Sequence, residues 1–274
     1  MNHLSYTELE QSLAQGQEWW AFLPVGCWEQ HGPVLPLAAD TLVAEELAHR
    51  LQVRLKKTRG TSSLVLPCIS FTPTEPNRDF AGTVSMPNAA GRNYLEAVLR
   101  GILRTPYKVI VVINGHGSVD PILKEVGFQL VLEQFQQSAP VRPILCLNAF
   151  DPAPTLAREF GQPHGRHADW TELLLTYPLL GPEYYDAVRL QRLEQFAASD
   201  TFDVVAPRVL GIPMELRSVQ GVSGNPMPPG GIAAVAQTAE RYWERLVDLV
   251  FETMLSEIEA FSRSFSTLRA KVGP

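Results

Sequence analysis

Six side chains have the types and spacing for metal-assisted hydrolysis. Glu29, His31 and Asp40 lie in "GCWEQHGPVLPLAAD" (26–40), His116 in "INGHGSVD" (113–120), and His167 and Glu172 in "HADWTELLLTYP" (167–178). Glu29 and His31 are two apart, so an extended backbone projects both to one side, where they can share an ion. Asp40 follows nine residues after His31, where it can also cap the next helix. Gly115 and Gly117 flank His116 and let backbone approach a bound group. Two imidazoles (His31, His116) and three carboxylates (Glu29, Asp40, Glu172) suit a borderline cation such as zinc or manganese, with iron also compatible. Five side-chain ligands exceed what one tetrahedral structural ion takes, and a carboxylate-bridged pair of divalent ions fits them better. Such a pair activates a water, polarises a carbonyl and stabilises the developing oxyanion, which is the division of labour for cleaving an amide.

These residues need a scaffold that brings separate loops together. "WAFLPVG" (20–26), "SLVLPCISF" (63–71), "YKVIVVING" (107–115) and "RPILCLNAF" (142–150) are apolar without polar alternation, and read as four core strands of a mostly parallel sheet. Val43, Leu47 and Leu51, and again Ile122, Val126 and Leu130, recur every fourth residue and predict helices that cover it. A longer helix near the C-terminus carries a stripe of Trp243, Val247, Val250, Met254 and Ile258. The fold class is therefore α/β, and open α/β sheets bind ligands at the carboxyl ends of their strands. Four of the six residues follow such ends directly or in the adjoining loop. His167 and Glu172 are five apart, so His167 is expected before the first turn of its helix, with both facing one cleft. "GVSGNPMPPGG" (221–231) leads straight into the long helix and reads as an ordered loop within a single domain.

Taken singly, each residue has a plainer role. Asp40 can be a helix cap, His116 a hydrogen-bonded structural group, Glu29 the partner of an arginine, and Glu172 a solvated first-turn carboxylate. Their joint occurrence changes this, because burying several ionisable groups at strand ends is costly unless something compensates them. His3, His49 and His164 have no such context and read as surface residues, while Trp170 reads as core rather than as a pocket wall. Composition narrows the function classes. The chain has 274 residues, 45% of them hydrophobic, and 23 Lys+Arg against 29 Asp+Glu give a net charge of -6 without long like-charge runs. Neither a nucleic-acid footprint nor a polybasic membrane patch is present, so the expected partner is a small molecule. No leader or membrane-spanning run is legible, which predicts a cytoplasmic protein. Cys27, Cys68 and Cys146 lie far apart and form no CxxC pair, so each is expected reduced, in or near a core strand.

The same segments resemble the creatininase (creatinine amidohydrolase) family. The match runs from "LPVGCWEQHGPVLPLAADT" through "AGTVSM", "VIVVINGHG" and "HADWTELLLTYP" to "GVSGNP", in the family's order, and E-x-H-G-x-x-L-P with an Asp nine residues after the His is its most specific part. The resemblance implies a three-layer α/β/α sandwich in one domain over 1–274, a binuclear centre of two divalent ions, hydrolysis of a non-peptide or cyclic amide, and often a homohexamer. By position, Glu29, His31, Asp40 and His116 match the family's metal ligands, with Asp40 bridging. His167 matches an active-site histidine used on substrate or for proton transfer, and Glu172 an active-site carboxylate, assigned as metal ligand or general base. The chain departs from the pattern where creatinine-hydrolysing members carry a ligand Glu (here Ser118), a tryptophan (Phe150) and H-F-P-G-T ("DFAGT", with Asp79 and Ala81). Glu172 is then the candidate to complete the second ion's ligand set. The leading expectation is hydrolysis of a small, cyclic amide such as creatinine. A formamide hydrolase, a catalytically inactive metal-binding member and a Cys27 nucleophile are the alternatives.

Overall fold

The computed structural model describes residues 4–137, 140–161, 167–197, 208–209, 212–213, 227 and 230–272. In chain order its elements are α1 (Tyr6–Ala14), β1 (Trp19–Val25), α2 (Ala39–Arg59), β2 (Ser62–Val65), α3 (Asn88–Ile102), β3 (Val109–Asn114), α4 (Asp120–Gln136), β4 (Ile144–Asn148), α5 (Ala153–Phe160), α6 (Trp170–Leu180), α7 (Ala187–Ala197), a two-residue antiparallel ladder β5 (Arg208–Val209) and β6 (Ile212–Pro213), and α8 (Gly231–Val272). All four expected core strands form, paired in parallel in the order β2-β1-β3-β4. β1 matches its apolar run in length, one residue earlier, and the other three strands are shorter than theirs. The second stops at Val65, two residues before Pro67, which has no N–H for a ladder, and pairing resumes in a single bridge between Ile69 and Val25.

Alternate residues of each strand feed two apolar layers. Phe22, Val111, Ile113, Leu145 and Leu147 pack on α2, α6 and α8, whereas Ala21, Leu23, Ile110 and Val112 pack on α3 and α4. This is the three-layer α/β/α arrangement, and it explains why the strands show no polar alternation. On α2 the stripe of Val43, Leu47, Leu51 and Leu55 is buried; each such side chain contributes about 1.5–3 kcal/mol relative to exposure. The helix ends at Gly60, whose φ of 67° gives the left-handed cap, with Lys56, Lys57 and Arg59 in the last turn opposite the dipole's negative end. In α8, Trp243, Val247, Val250 and Met254 are buried against the first layer and Ile258 packs at its margin. Trp243 Nε1–H donates to Leu175 O at 2.9 Å, tying α8 to α6. Among the described residues, no helix is long and apolar enough to cross a membrane.

The chain runs from β1 to β2 on one side and resumes at β3 on the other, so β1 and β3 flank a topological switch point. The first turn of α2 is wedged there. A Cβ on Gly26 would lie 2.5 Å from the backbone of Thr41, and one on Gly115 would lie 2.5 Å from the Asp40 carbonyl oxygen. Gly115 therefore serves contact with α2 rather than with a bound group, while Gly117 faces open space. Asp40 does not take up the capping role open to it: Ala38 is the N-cap, without a side-chain bond, and the Asp40 carboxylate turns inward. We predict that Gly26→Ala, by forcing α2 off the strand ends, lowers stability by about 1–3 kcal/mol. Gly101→Ala, in α3 with open space around it, should instead stabilise by about 0.5–1 kcal/mol. Urea denaturation checks this, and equal midpoints for the two variants would contradict the wedge.

Candidate metal centre

Glu29, His31, Asp40, His116, His167 and Glu172 are all buried and meet at the switch point. His31 Nε2 lies 3.0 Å from Asp40 Oδ1 and 3.5 Å from Glu172 Oε2. His116 Nδ1 lies 2.9 Å from Asp40 Oδ2 and 3.4 Å from Glu29 Oε1. His167 Nδ1 lies 3.6 Å from Glu29 Oε1, and its ring centroid is 4.6 Å from that of His31. Asp40 thus presents one oxygen to each of two histidines. Ligand atoms within 4.8 Å of one another form the trios Glu29/His31/His167, His31/Asp40/Glu172 and Cys27/Asp40/His116.

The far nitrogen of each imidazole decides what the near one can do. His31 Nδ1 sits 3.0 Å from Glu29 O, His116 Nε2 sits 3.1 Å from Pro73 O, and His167 Nε2 sits 2.9 Å from Gln30 O. A carbonyl only accepts, so His31 Nδ1 and His116 Nε2 each carry a proton, and in the neutral ring the other nitrogen bears a lone pair; His167 Nε2 also lies 3.0 Å from Gln30 Nε2, an amide donor, so either tautomer of that ring finds a partner. Those lone pairs face carboxylate oxygens, an arrangement that requires a proton or a cation in between. Asp40 Oδ2 is buried, and its approach to His116 does not satisfy hydrogen-bond geometry. A backbone-anchored imidazole beside an enclosed carboxylate is what a divalent cation needs, and the donor set fits one.

Neighbouring loops hold these groups in place. Glu29 Oε2 accepts from the Thr74 hydroxyl and the Asn77 amide, which leaves Oε1 toward His116 and His167. Gln30 is fixed by Gly32 N–H at 2.9 Å and Asn77 Oδ1 at 3.0 Å, and its backbone N–H donates to Thr83 Oγ1 at 3.0 Å. Asn114 Oδ1 accepts the His116 N–H at 2.9 Å. As expected, His167 precedes its helix: Asp169 is the N-cap of α6, and between them Ala168 adopts φ 55°, in the left-handed region that costs a non-glycine residue about 1–3 kcal/mol. The Ala168 N–H donates to Glu172 Oε2 at 2.8 Å, so the strained turn aims the glutamate at His31.

Thr74, Asn77 and Gln30 were not signalled by any motif. Other positions resolve plainly: Ser118 is exposed in a 3-10 turn, the Asp79 side chain is 93% exposed beside Arg78, and Trp170 is core, edge-on to Tyr242 at 6.0 Å. Phe150 packs at the margin of the first layer. Cys27 is buried, with Cys68 and Cys146 half-buried, and all three are free. His49 is exposed, whereas His3, His164 and nearly all of the 221–231 loop lie outside the described residues.

A family model described as creatinine amidohydrolase matches residues 2–254. The chain belongs to the creatininase family. The solved structure named "Creatininase Mn" superposes with a TM-score of 0.73 at 19% identity, covering 94% of this chain and 97% of that one. A "Zn-Zn type" creatininase variant gives 0.67, also at 19% identity and 94% and 97% coverage. Among curated relatives, the mycofactocin precursor peptide peptidase of Mycolicibacterium smegmatis is 36% identical over 98 residues, 35% of this chain and 38% of that protein. Its Mycobacterium tuberculosis counterpart is 29% identical over 161 residues, 57% and 58% of the two chains. The creatinine amidohydrolase of Pseudomonas putida is 25% identical over 141 residues, 50% and 51%. The match thus spans at most 58% of the length of these curated relatives.

Electrostatics sets the pH behaviour of the metal-free creatininase-family site. Burial by itself lowers the His31 pKa, but the carboxylates of Asp40, Glu172 and Glu29 outweigh it and push it up to about 10. His116 is raised in the same way, chiefly by Glu29 and Asp40 against burial. Burial alone raises Asp40 and Glu29; the histidines overcome it and hold both carboxyls below the usual range. Glu172 goes the other way, since burial, reinforced by Asp40 and Asp169 and opposed by His31, raises it to about 8. Raised groups stabilise the fold below their unfolded pKa and lose that contribution as pH rises through the folded value. For Glu172 the loss runs from about 4.5 to 8, and for His31 from about 6.5 to 10. The metal-free Tm should therefore fall between pH 7 and 10, and the stabilisation gained on adding Zn2+ should grow over that range as the cation replaces the protons. Differential scanning fluorimetry with and without Zn2+ checks both signs; a metal-independent Tm profile would contradict them.

Proposed function

We propose that the chain is a metal-dependent amidohydrolase whose catalytic domain spans residues 1–274, and that its centre holds two divalent cations, zinc or manganese. The observation that carries this reading is the set of three imidazoles, each with one nitrogen tied to a backbone carbonyl and the other facing carboxylates around Asp40. His31 and Glu172 would hold one cation and His116 and Glu29 the other, with Asp40 lying between the two sets. Glu172 then takes the part for which exposed Ser118 is unsuited. Bound cations supply Lewis acidity, which lowers the pKa of a water and polarises an amide carbonyl.

The protein's own groups do the rest. His167 is 9% exposed against 1% for His31 and 2% for His116, so it is the imidazole nearest solvent. Its Nε2 faces Gln30 and its Nδ1 faces Glu29, which places Nδ1 to carry a proton to the leaving nitrogen as the C–N bond breaks. Glu29, held by Thr74 and Asn77, lies 3.6 Å from His167 Nδ1. Enclosure of the cluster keeps bulk water from screening these charges.

For the substrate, the family description and the Pseudomonas putida relative favour a small cyclic amide, with creatinine the first compound to test. A second reading, an amide within a peptide, is favoured by the higher identity to relatives named mycofactocin precursor peptide peptidase. Turnover of lactams and formamides against a panel of short peptides separates the two. In either case His31→Ala and Asp40→Ala should lower bound metal, read by elemental analysis, and reduce turnover together by at least about 10³-fold. Wild-type turnover in a metal-free preparation would overturn the reading.

A further inference from the structure

Cys27 stands two residues before Glu29, so C-x-E-x-H alternates along the stretch that also carries His31. Its side chain is 0% exposed, the burial of a core thiol, but its surroundings are not apolar. One ligand atom from each of Cys27, Asp40 and His116 lies within 4.8 Å of the others. The Sγ–H donates to Thr72 O at 3.8 Å, near the outer limit for a sulfur donor. Independently, Asp40 Oδ2 is enclosed at the same place and accepts no hydrogen bond. Cys68 and Cys146, by contrast, belong to no such group among the described residues.

We infer that Cys27 is a thiolate ligand of the cation position that Asp40 and His116 share. The inference rests on the metal-centre reading above. On coordination the Sγ–H bond breaks, its proton passes to buffer, and the sulfur lone pair forms the bond to the cation, so no oxidant or reductant is needed. The two positions then differ in chemistry. The Asp40 Oδ2 side offers sulfur and suits Zn2+, whereas the Asp40 Oδ1 side, with His31 and Glu172, offers nitrogen and oxygen and accepts Mn2+ as well. The thiol is therefore a metal-selecting group, placed where a nucleophilic role would compete with coordination.

Zinc-edge X-ray absorption on the full-length protein, loaded with Zn2+ and dialysed, tests this without measuring activity. The expected result is a sulfur shell at about 2.3 Å beside nitrogen and oxygen at about 2.0–2.1 Å. Cys27→Ser should lose the sulfur shell and shift occupancy from Zn2+ toward Mn2+ in competition, while Cys68→Ser and Cys146→Ser keep the shell. Should Cys27→Ser fail to fold, a sulfur shell in the wild type that survives in the other two variants assigns the ligand by itself. Stoichiometric zinc with nitrogen and oxygen shells alone would overturn the Cys27 assignment and leave the metal centre standing. Failure of the wild type to retain zinc would overturn both.

Discussion

A lone pair on a buried imidazole cannot rest about 3 Å from a buried carboxylate oxygen unless positive charge lies between them. That constraint governs the carboxyl edge of this sheet. It acts between His31 Nε2 and Asp40 Oδ1 and between His116 Nδ1 and Asp40 Oδ2, at 3.0 and 2.9 Å. In the metal-free protein protons supply the charge, which is why His31 titrates far above an ordinary histidine while Asp40 stays ionised. The protons do not suffice for every carboxyl. Glu172, crowded by burial and by Asp40, is pushed up to about 8 and holds a proton that a cation would displace. A cluster that must bind either protons or cations has its affinity for one set by the other.

The fold exists in a form that makes this clustering affordable. Glu29 and His31 leave the end of β1, His116 leaves the end of β3, and Asp40 is delivered between them by the first turn of α2. The last step needs two residues without side chains, Gly26 and Gly115, because any Cβ would collide with the Asp40–Thr41 backbone. From the opposite side, strained Ala168 brings in His167 and Glu172 ahead of α6. The covering helices bury strand faces on both sides, and the resulting rigidity lets three separate loops be placed with ångström accuracy.

The strands and helices were legible because their physics is local: fully apolar runs mark doubly covered strands, and every-fourth-residue stripes mark α2, α4 and α8. Strand lengths were overread where chemistry interrupts an apolar run, as at Pro67. The five candidate ligands and His167 could also be picked out, since C-W-E-Q-H and N-G-H-G concentrate ionisable groups where apolar residues would be less costly to bury. What could not be read was the support. Thr74 and Asn77 reach Glu29 across 45 and 48 residues, through an irregular loop whose composition resembles any surface loop. Asp40 also read as a possible helix cap, beside its ligand role, because helix-start position is a local signal, whereas the pull of two imidazoles is not. Cys27 likewise read only as an alternative nucleophile, and its relation to Asp40 and His116 emerges only once β1 and β3 lie side by side.

The central claim is that cations occupy the space between these imidazoles and the Asp40 carboxylate. Anomalous diffraction at the zinc edge, from crystals of the zinc-loaded protein, tests it most directly. The account predicts two anomalous peaks on either side of Asp40, one within about 2.0–2.2 Å of His31 Nε2 and the other within the same distance of His116 Nδ1. Zinc-loaded crystals in which those nitrogens still meet Asp40 directly, with anomalous signal elsewhere or nowhere, would contradict it.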